Sequence, residues 1–295
     1  MKRTMLAIMA VIAICGCSRD AVPTKINVQI NEVAQGVSRP CKKWGGQVGE
    51  LLADIKALPD SRQKVECLRR LTDKVLETDL SAPEMENPRS TASAIKSLCN
   101  HNVISGLQIC GGSIDDAWDV YIALLSWLRT QADKLYGDGK LPKGIIRHKN
   151  GGLVILDIEA ERRYDKRESA YNMVVPGYDE LLNRIECRFP DLLDFNVADD
   201  KIPQLKEKLE KFLGRPMRTK KQCREDWYAR KSDFPKWPGR QAPLKKPKES
   251  PSVEVEVEIR NGELDGATNG TVTVRKFGNE AVREASEDTS QGGGL

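Results

Sequence analysis

The longest helical pattern of the chain lies in 113-SIDDAWDVYIALLSWLRTQADKLY-136. Ser113 followed by Asp116 predicts a helix start, because these side chains can satisfy the first free backbone N–H groups of a helix. Apolar residues then recur every three or four positions over about five turns, as on one buried helix face. They are Trp118, Tyr121, Ile122, Leu125, Leu128, Ala132 and Leu135. We interpret this stripe as the core of a mainly α-helical domain rather than as a ligand groove.

Shorter helical patterns flank this segment on both sides. They cover residues 44–55, 65–80, 91–98 and 205–213, and a last helix starts at Thr219 with Gln222 and runs through Trp227. Proline and glycine, which commonly end helices, separate several of them. The sequence therefore predicts a set of helices packed around residues 113–136.

The segment Gly144–Ala160 is ambiguous. Asn150 and Gly151 could form the turn of a β-hairpin. The apolar residues from Leu153 to Tyr164 also fit helical spacing. We favour a helix over residues 153–173, which Pro176 with Gly177 ends, followed by a short helix over residues 178–187.

The composition is that of a helical, water-exposed protein. Of the 295 residues, 39% are hydrophobic, only 5% are aromatic and 31% are charged, so nothing suggests a bundle of membrane helices. The formal net charge is +4, yet residues 248–295 hold ten acids against five basic residues, so the body is basic and the tail acidic. The chain lacks the phosphate-binding loop, GxSxG, HExxH and dinucleotide-binding motifs.

These patterns divide the chain into four parts. We assign residues 1–16 to a signal peptide, 17–40 to a tether, 41–237 to the helical domain and 238–295 to a linker and tail. The linker is rich in proline and lysine, which makes it stiff and charged. Valine and glutamate alternate over residues 253–259, so the tail is predicted to be disordered or to form a weak β-hairpin.

The N-terminus has the pattern of an export signal. Lys2 and Arg3 precede an apolar run over residues 5–14, and Cys15, Gly16 and Cys17 follow. A membrane-spanning helix needs about 20 apolar residues, so this run is too short to remain as an anchor.

Residues 14–17, Ile-Cys-Gly-Cys, resemble the lipobox of bacterial lipoproteins. The resemblance covers only the first 17 residues and extends to no part of the mature domain. It implies cleavage before Cys17 and acyl groups on that cysteine, each buried methylene adding about 0.8 kcal/mol of membrane affinity. It also implies that Ser18 permits sorting to an outer membrane where the host has one. The expected location is the bacterial cell envelope, on the periplasmic or surface face.

Six further cysteines occur in the predicted domain. An even number in an oxidising compartment favours disulfides, although the sequence leaves the pairing open. Nearness in sequence favours Cys99 with Cys110, and the pairs Cys41 with Cys67 and Cys187 with Cys223 are also compatible with the pattern. No CxxC motif occurs and the chain has only two histidines, so we predict no metal site and no cofactor.

A basic segment with interleaved aromatic residues, 215–240, is the strongest candidate for a binding surface. Basic groups attract phosphate or carboxylate, and aromatic rings can stack on a ligand or lie at a membrane interface. The candidate residues are Arg218, Lys220, Lys221, Arg224, Trp227, Tyr228 and Trp237. We expect the membrane, and an envelope protein or an anionic envelope polymer, as partners, and no nucleic acid. The same tryptophans could instead hold the last helix to the core.

Asp157 and Glu161 lie four residues apart, so a helix would place both carboxylates on one face. Such a pair can act as acid and base in hydrolysis. The basic residues that follow favour an ion-paired, solvated face instead. We therefore expect a membrane-anchored, non-catalytic binding module, and the alternative is an envelope hydrolase that uses these carboxylates.

Overall fold

The computed structural model describes residues 22–137, 141, 143–191, 198–229 and 233–241. By its internal contacts the chain forms one unit over Met1–Gln241 and another over Ala242–Leu295. The second unit lies wholly outside the described residues, and so do the signal sequence, Cys17 and the predicted tail hairpin. The described part is mainly helical, which confirms the mainly α-helical class that the sequence predicts.

The first half of the described unit is built from helices that follow one another closely. They are α1 (Thr24–Gly36), α2 (Lys42–Ala57), α3 (Ser61–Leu76), α4 (Pro88–Ser97), a π-helical turn (Leu98–Val103) and α5 (Ile104–Ile109). Asp60 begins α3 by accepting a hydrogen bond from the Arg62 backbone N–H at 2.8 Å. Pro88 occupies the first turn of α4, where its missing N–H costs nothing.

Helix α6 (Ile114–Tyr136) is the helix that the sequence predicts most clearly. The Ser113 hydroxyl accepts from the Asp116 N–H, and the Asp116 carboxylate accepts from Ser113, so the predicted capping box is formed. Its buried residues include Trp118, Tyr121 and Leu125. The Trp118 indole N–H donates to the Leu205 carbonyl at 2.9 Å, which ties α6 to a later helix.

Residues 144–160 form a hairpin followed by a helix, so our preference for a helix from residue 153 is wrong. Strands β1 (Ile145–Arg147) and β2 (Leu153–Ile155) are antiparallel, with Ile146 opposite Val154. Gly151 has a φ of 87° in the turn, as the Asn-Gly signal indicates. Helix α7 (Ile158–Arg188) begins only after Asp157.

Helix α7 continues through Pro176 and Gly177, where the sequence predicts a break. A proline inside a helix removes one backbone hydrogen bond and crowds the preceding turn. Packing of α7 against both α4 and α6 compensates for that cost. The small Gly177 lies against the Lys96 side chain of α4, so the two helices approach closely at this point.

The chain closes with α8 (Lys201–Leu213), α9 (Lys220–Ala229) and an extended segment over residues 233–241. Gly214 ends α8 in the left-handed conformation at φ 67°, and Thr219 with Gln222 starts α9, both as predicted. The extended segment pairs with β2: the Leu153 N–H donates to the Gly239 carbonyl, and the Gln241 N–H donates to the Leu153 carbonyl. The packed unit thus extends past the predicted boundary at Trp237.

One large apolar core joins the helices, and a small second cluster lies under the hairpin. Helix α1 contributes Ile26, Ile30 and Val33 to the main core, although residues 17–40 are predicted to be a tether. A helix with a buried apolar face is part of the domain, so the packed unit begins before residue 41. Within the described ranges, no helix combines the length and hydropathy needed to cross a bilayer.

Candidate functional site

All six cysteines of the described unit are free thiols, so the predicted disulfide staples are not supported. Cys99 and Cys110 are separated by the continuous helical segments from Leu98 to Ile109. A helix rises about 1.5 Å per residue, so these two lie well beyond the ~7 Å limit between the Cα atoms of a disulfide. Cys41 is exposed before α2, whereas Cys67 is buried in α3.

Of the three proposed pairs, Cys187 and Cys223 are the one whose thiols interact with each other. The Cys187 thiol also lies 3.0 Å from Asn183 Oδ1. Burial, and then the contact with Cys187, raise the pKa of Cys223 to about 12. Export therefore remains a prediction from residues 1–17.

The basic segment is organised around a buried acid, Glu186 of α7. Its side chain is fully buried, and its Oε1 accepts from Arg215 Nη1 at 2.8 Å and from the Arg218 N–H at 2.9 Å. Its Oε2 accepts from Arg218 Nε at 2.7 Å, and Arg218 also pairs with Asp226 at 2.9 Å. We call Glu186, Arg215, Arg218 and Asp226 the buried ion cluster. It joins α7 to the turn before α9 and to α9 itself.

Electrostatics explain why Glu186 remains charged in the interior. Burial alone raises the pKa of this carboxyl, but hydrogen bonds from Arg215 and Arg218 outweigh burial and lower it overall. The sequence has no signal for this residue, because an acid among the polar residues at the end of α7 looks like any surface position.

The other cations of the candidate binding surface lie on the exterior of α9. Lys220 pairs with Asp191 at 2.6 Å, and Lys221 approaches Glu225 at 3.9 Å with most of its side chain in solvent. Arg224 is also exposed. Arg218 differs from these three because its guanidinium is committed to the buried ion cluster. The side chains of Trp227 and Tyr228 fall outside the described part of the chain.

Trp237 is half-buried and packs against the core, as the alternative interpretation of the basic segment predicts. Its ring lies 5.1 Å from the Tyr171 ring, 5.7 Å from the Tyr164 ring and 6.3 Å from the Tyr136 ring, between centroids. The hydroxyl of Tyr164 donates to the Pro238 carbonyl at 3.0 Å, and that of Tyr171 donates to the Pro235 carbonyl. These contacts clamp residues 233–241 to α6 and α7.

The two candidate catalytic carboxylates both have structural partners. Asp157 Oδ1 accepts from the Ala160 N–H at 2.7 Å and begins α7. Glu161 pairs with Arg240 at 3.1 Å, and Arg240 also pairs with Asp165 and lies 4.5 Å over the Tyr164 ring. Both acids are exposed at the start of α7, and their contacts fasten the extended segment and the helix start.

Neither a metal-binding cluster in the described residues nor a related protein indicates the chemistry of the site. Within the described ranges, no group of three or more His, Cys, Asp or Glu residues is arranged to hold a metal ion. Compared with models of protein families, with curated proteins and with solved structures, the chain has no match. The described unit is a helical scaffold with exposed cations at one end of α9 and with acids that bind neighbouring basic or backbone groups.

Proposed function

We propose that this chain is a lipoprotein of the bacterial cell envelope, anchored through acyl groups on Cys17, whose helical unit is a non-catalytic binding module. The anchor is supported by the sequence over residues 14–17, which has a branched apolar residue, Gly and Cys in lipobox order. In a Gram-negative host, Ser18 favours transfer to the outer membrane.

The binding surface of this proposal is the exposed end of α9, with Lys220, Lys221 and Arg224. This choice of surface is supported by a difference among the cations of residues 215–240. Arg215 and Arg218 neutralise a buried acid, whereas these three side chains remain at the surface. Exposed, salt-screened cations suit an anionic envelope polymer or an acidic protein surface.

An envelope hydrolase that uses Asp157 and Glu161 is the second candidate. It is less favoured because Asp157 caps α7 and Glu161 pairs with Arg240, so both carboxylates already have structural partners. Asp157→Asn with Glu161→Gln removes both negative charges and keeps the hydrogen-bonding groups. Loss of envelope-polymer turnover in this variant, with its fold intact, would favour the hydrolase.

Reversal of the three exposed charges tests the binding surface. We expect Lys220→Glu, Lys221→Glu and Arg224→Glu together to weaken binding to polyphosphate, a soluble phosphate polymer, by about tenfold or more at low salt. The affinity of the unmodified chain for polyphosphate should also fall as the salt concentration rises, since these cations are exposed and salt screens them. Fluorescence anisotropy with labelled polyphosphate measures both effects.

The matched control carries the same change of charge at another surface. Lys42→Glu, Lys43→Glu and Arg70→Glu alter exposed residues of α2 and α3. This control should keep most of the affinity. Equal losses in the two triple variants would mean that net charge alone drives binding, and that result would remove α9 as the contact surface.

A further inference from the structure

The extended segment over residues 233–241 is held in the way that a peptide ligand is held. It contains no helix, and contacts with α6, α7 and β2 fix its position. Three of its side chains make the main contacts at intervals of three residues, namely Phe234, Trp237 and Arg240. An extended chain with three residues per turn presents such positions on one face. The segment therefore turns a regular set of side chains toward the rest of the protein.

Two prolines favour the extended form of this segment. Pro235 follows Phe234, and Pro238 follows Trp237. Proline fixes its own φ near about −65° and disfavours the helical region for the residue before it. A segment that is already extended loses less conformational entropy when it binds. Proline-containing peptides of this kind bind to grooves lined by aromatic side chains.

Tyrosines of α6 and α7 form an aromatic surface for the first two side chains. Phe234 is 8% exposed, and its ring lies 5.0 Å from the Tyr178 ring. The Trp237 ring lies among the rings of three further tyrosines, as described above. Two of them, Tyr164 and Tyr171, also donate their hydroxyls to proline carbonyls of the segment. The surface thus binds both the side chains and the backbone of the segment.

Three acids of α7 bind the third side chain, Arg240. Its guanidinium pairs with Glu161 at 3.1 Å, with Asp165, and with Glu168 at 3.7 Å. The same guanidinium lies 4.5 Å over the Tyr164 ring. The acids are spaced by four and three residues, so they share one face of the helix. This end of the surface is therefore selective for a basic side chain.

The backbone of the segment adds to the edge of β2. The Leu153 N–H donates to the Gly239 carbonyl at 3.0 Å, and its carbonyl accepts from the Gln241 N–H at 2.9 Å. A Cβ at Gly152 would overlap the Gln241 side chain, so the fit is close here. We call the four tyrosines, the three acids and Leu153 together the segment groove. Pairing with a strand edge, combined with contacts for spaced side chains, is a common mode of peptide recognition.

We propose that the segment groove is a recognition site for an extended peptide of the pattern aromatic–Pro–x–aromatic–Pro–x–basic, and that residues 233–241 of a second copy occupy it when its own segment is released. None of the contacts depends on the covalent link to α9, and every copy carries both a groove and a segment. The attached segment has an effective concentration on the order of millimolar, so it fills its own groove in an isolated chain. Exchange of an identical segment joins two copies through the same contacts.

The first test opens the groove in the chain from Ser18 to Leu295, which contains every described residue. Trp237→Ala with Arg240→Glu removes one aromatic contact and places a negative charge against three acids. We expect a labelled peptide of residues 233–241 to bind this open variant and to show no binding to the unmodified chain at micromolar concentrations. Fluorescence anisotropy measures binding, and circular dichroism measures folding. Arg240→Glu alone, which changes only an exposed side chain, repeats the test where the open variant fails to fold.

Reversal of the groove charges tests selectivity for the basic residue. In a Trp237→Ala chain that also carries Glu161→Lys, Asp165→Lys and Glu168→Lys, the peptide should bind at least about tenfold more weakly than to the open variant. The Arg240→Glu form of the peptide should show the opposite preference. The matched control adds three lysines to the open variant at exposed acids far from these positions in sequence, and it should keep the preference for the unmodified peptide; the changes are Glu32→Lys, Glu50→Lys and Glu207→Lys.

A mixture of two variants tests exchange between copies. The open variant has an intact groove, and a chain with only Glu161→Lys, Asp165→Lys and Glu168→Lys has an intact segment. Each should be a monomer alone, whereas the mixture should form a dimer with one copy of each. Size-exclusion chromatography with light scattering measures the mass.

Three results would overturn the inference. A folded open variant that fails to bind the peptide, or that binds a peptide of scrambled sequence equally well, would mean that the groove is not a recognition site. A mixture that remains monomeric would remove the second copy as the partner. The proposed anchor and the α9 surface are tested separately, because none of these measurements depends on acylation of Cys17 or on polyphosphate.

Discussion

Replacing Glu186 by alanine is expected to lower the free energy of unfolding by about 3–5 kcal/mol, because it leaves two guanidinium groups without their buried partner. Both Arg215 and Arg218 bind this carboxylate, and Arg218 is mostly withdrawn from solvent. Urea denaturation followed by circular dichroism measures the change. A loss below about 1 kcal/mol would mean that the buried ion cluster does not hold the turn before α9.

The matched control is Glu180→Ala, which removes another acid from the same helix. Glu180 is largely exposed and pairs with Lys96, so its loss should cost less than about 1 kcal/mol.

The free energy of unfolding measured at several pH values gives a second test of Glu186. The pKa of Glu186 is lowered below its ordinary value near 4.5, so its stabilising effect is present above that pH and is lost as pH falls through the lowered value. The stability gap between the unmodified chain and Glu186→Gln should therefore narrow in acid.

Replacing Trp237 by alanine is expected to cost about 3 kcal/mol of stability and to leave polyphosphate affinity at the α9 surface unchanged. The ring contacts Tyr136, Tyr164 and Tyr171, and such aromatic contacts stabilise beyond the apolar area that they bury. Thermal unfolding together with the anisotropy assay checks both parts.

Trp237→Phe provides the control for this effect, because it keeps an aromatic ring between the tyrosines. Its loss of stability should be well under half of that for alanine. A Trp237→Ala protein that unfolds at the unmodified temperature but loses polyphosphate binding would assign the ring to the ligand, as the basic and aromatic pattern of residues 215–240 also permits.

Local signals in the sequence were sufficient for most helices. Helix α6 is predictable because its cap, Ser113 with Asp116, and its apolar stripe are all contained in one segment. The ends of α8 and α9 are marked in the same way by Gly214 and by Thr219 with Gln222. These features depend on residues that lie within a few positions of one another.

The hairpin and the unbroken α7 depend on partners that are distant in sequence. Leu153 has helical spacing, yet its backbone pairs with Gly239 and Gln241, so a contact across more than eighty residues decides its conformation. Pro176 remains inside a helix because packing against α4 and α6 compensates for the lost hydrogen bond. Neither partner can be read from the local pattern.

The site was predicted only in part, for similar reasons. The cations of residues 215–240 are visible in the sequence, but only the position of Glu186 shows which of them are neutralised internally. The even number of cysteines is a property of composition, and it carries no information on the distances that a disulfide requires. The thiols of Cys187 and Cys223 meet because α7 and α9 pack together.

We propose above all that Cys17 becomes the acylated first residue of the mature protein. Mass spectrometry of the N-terminal peptide, with the full-length chain produced in a bacterium and extracted from its membranes, tests this directly. We expect a peptide that begins at Cys17 and carries acyl groups on its thiol. A peptide that retains residues before Cys17, or one with an unmodified Cys17, would contradict it.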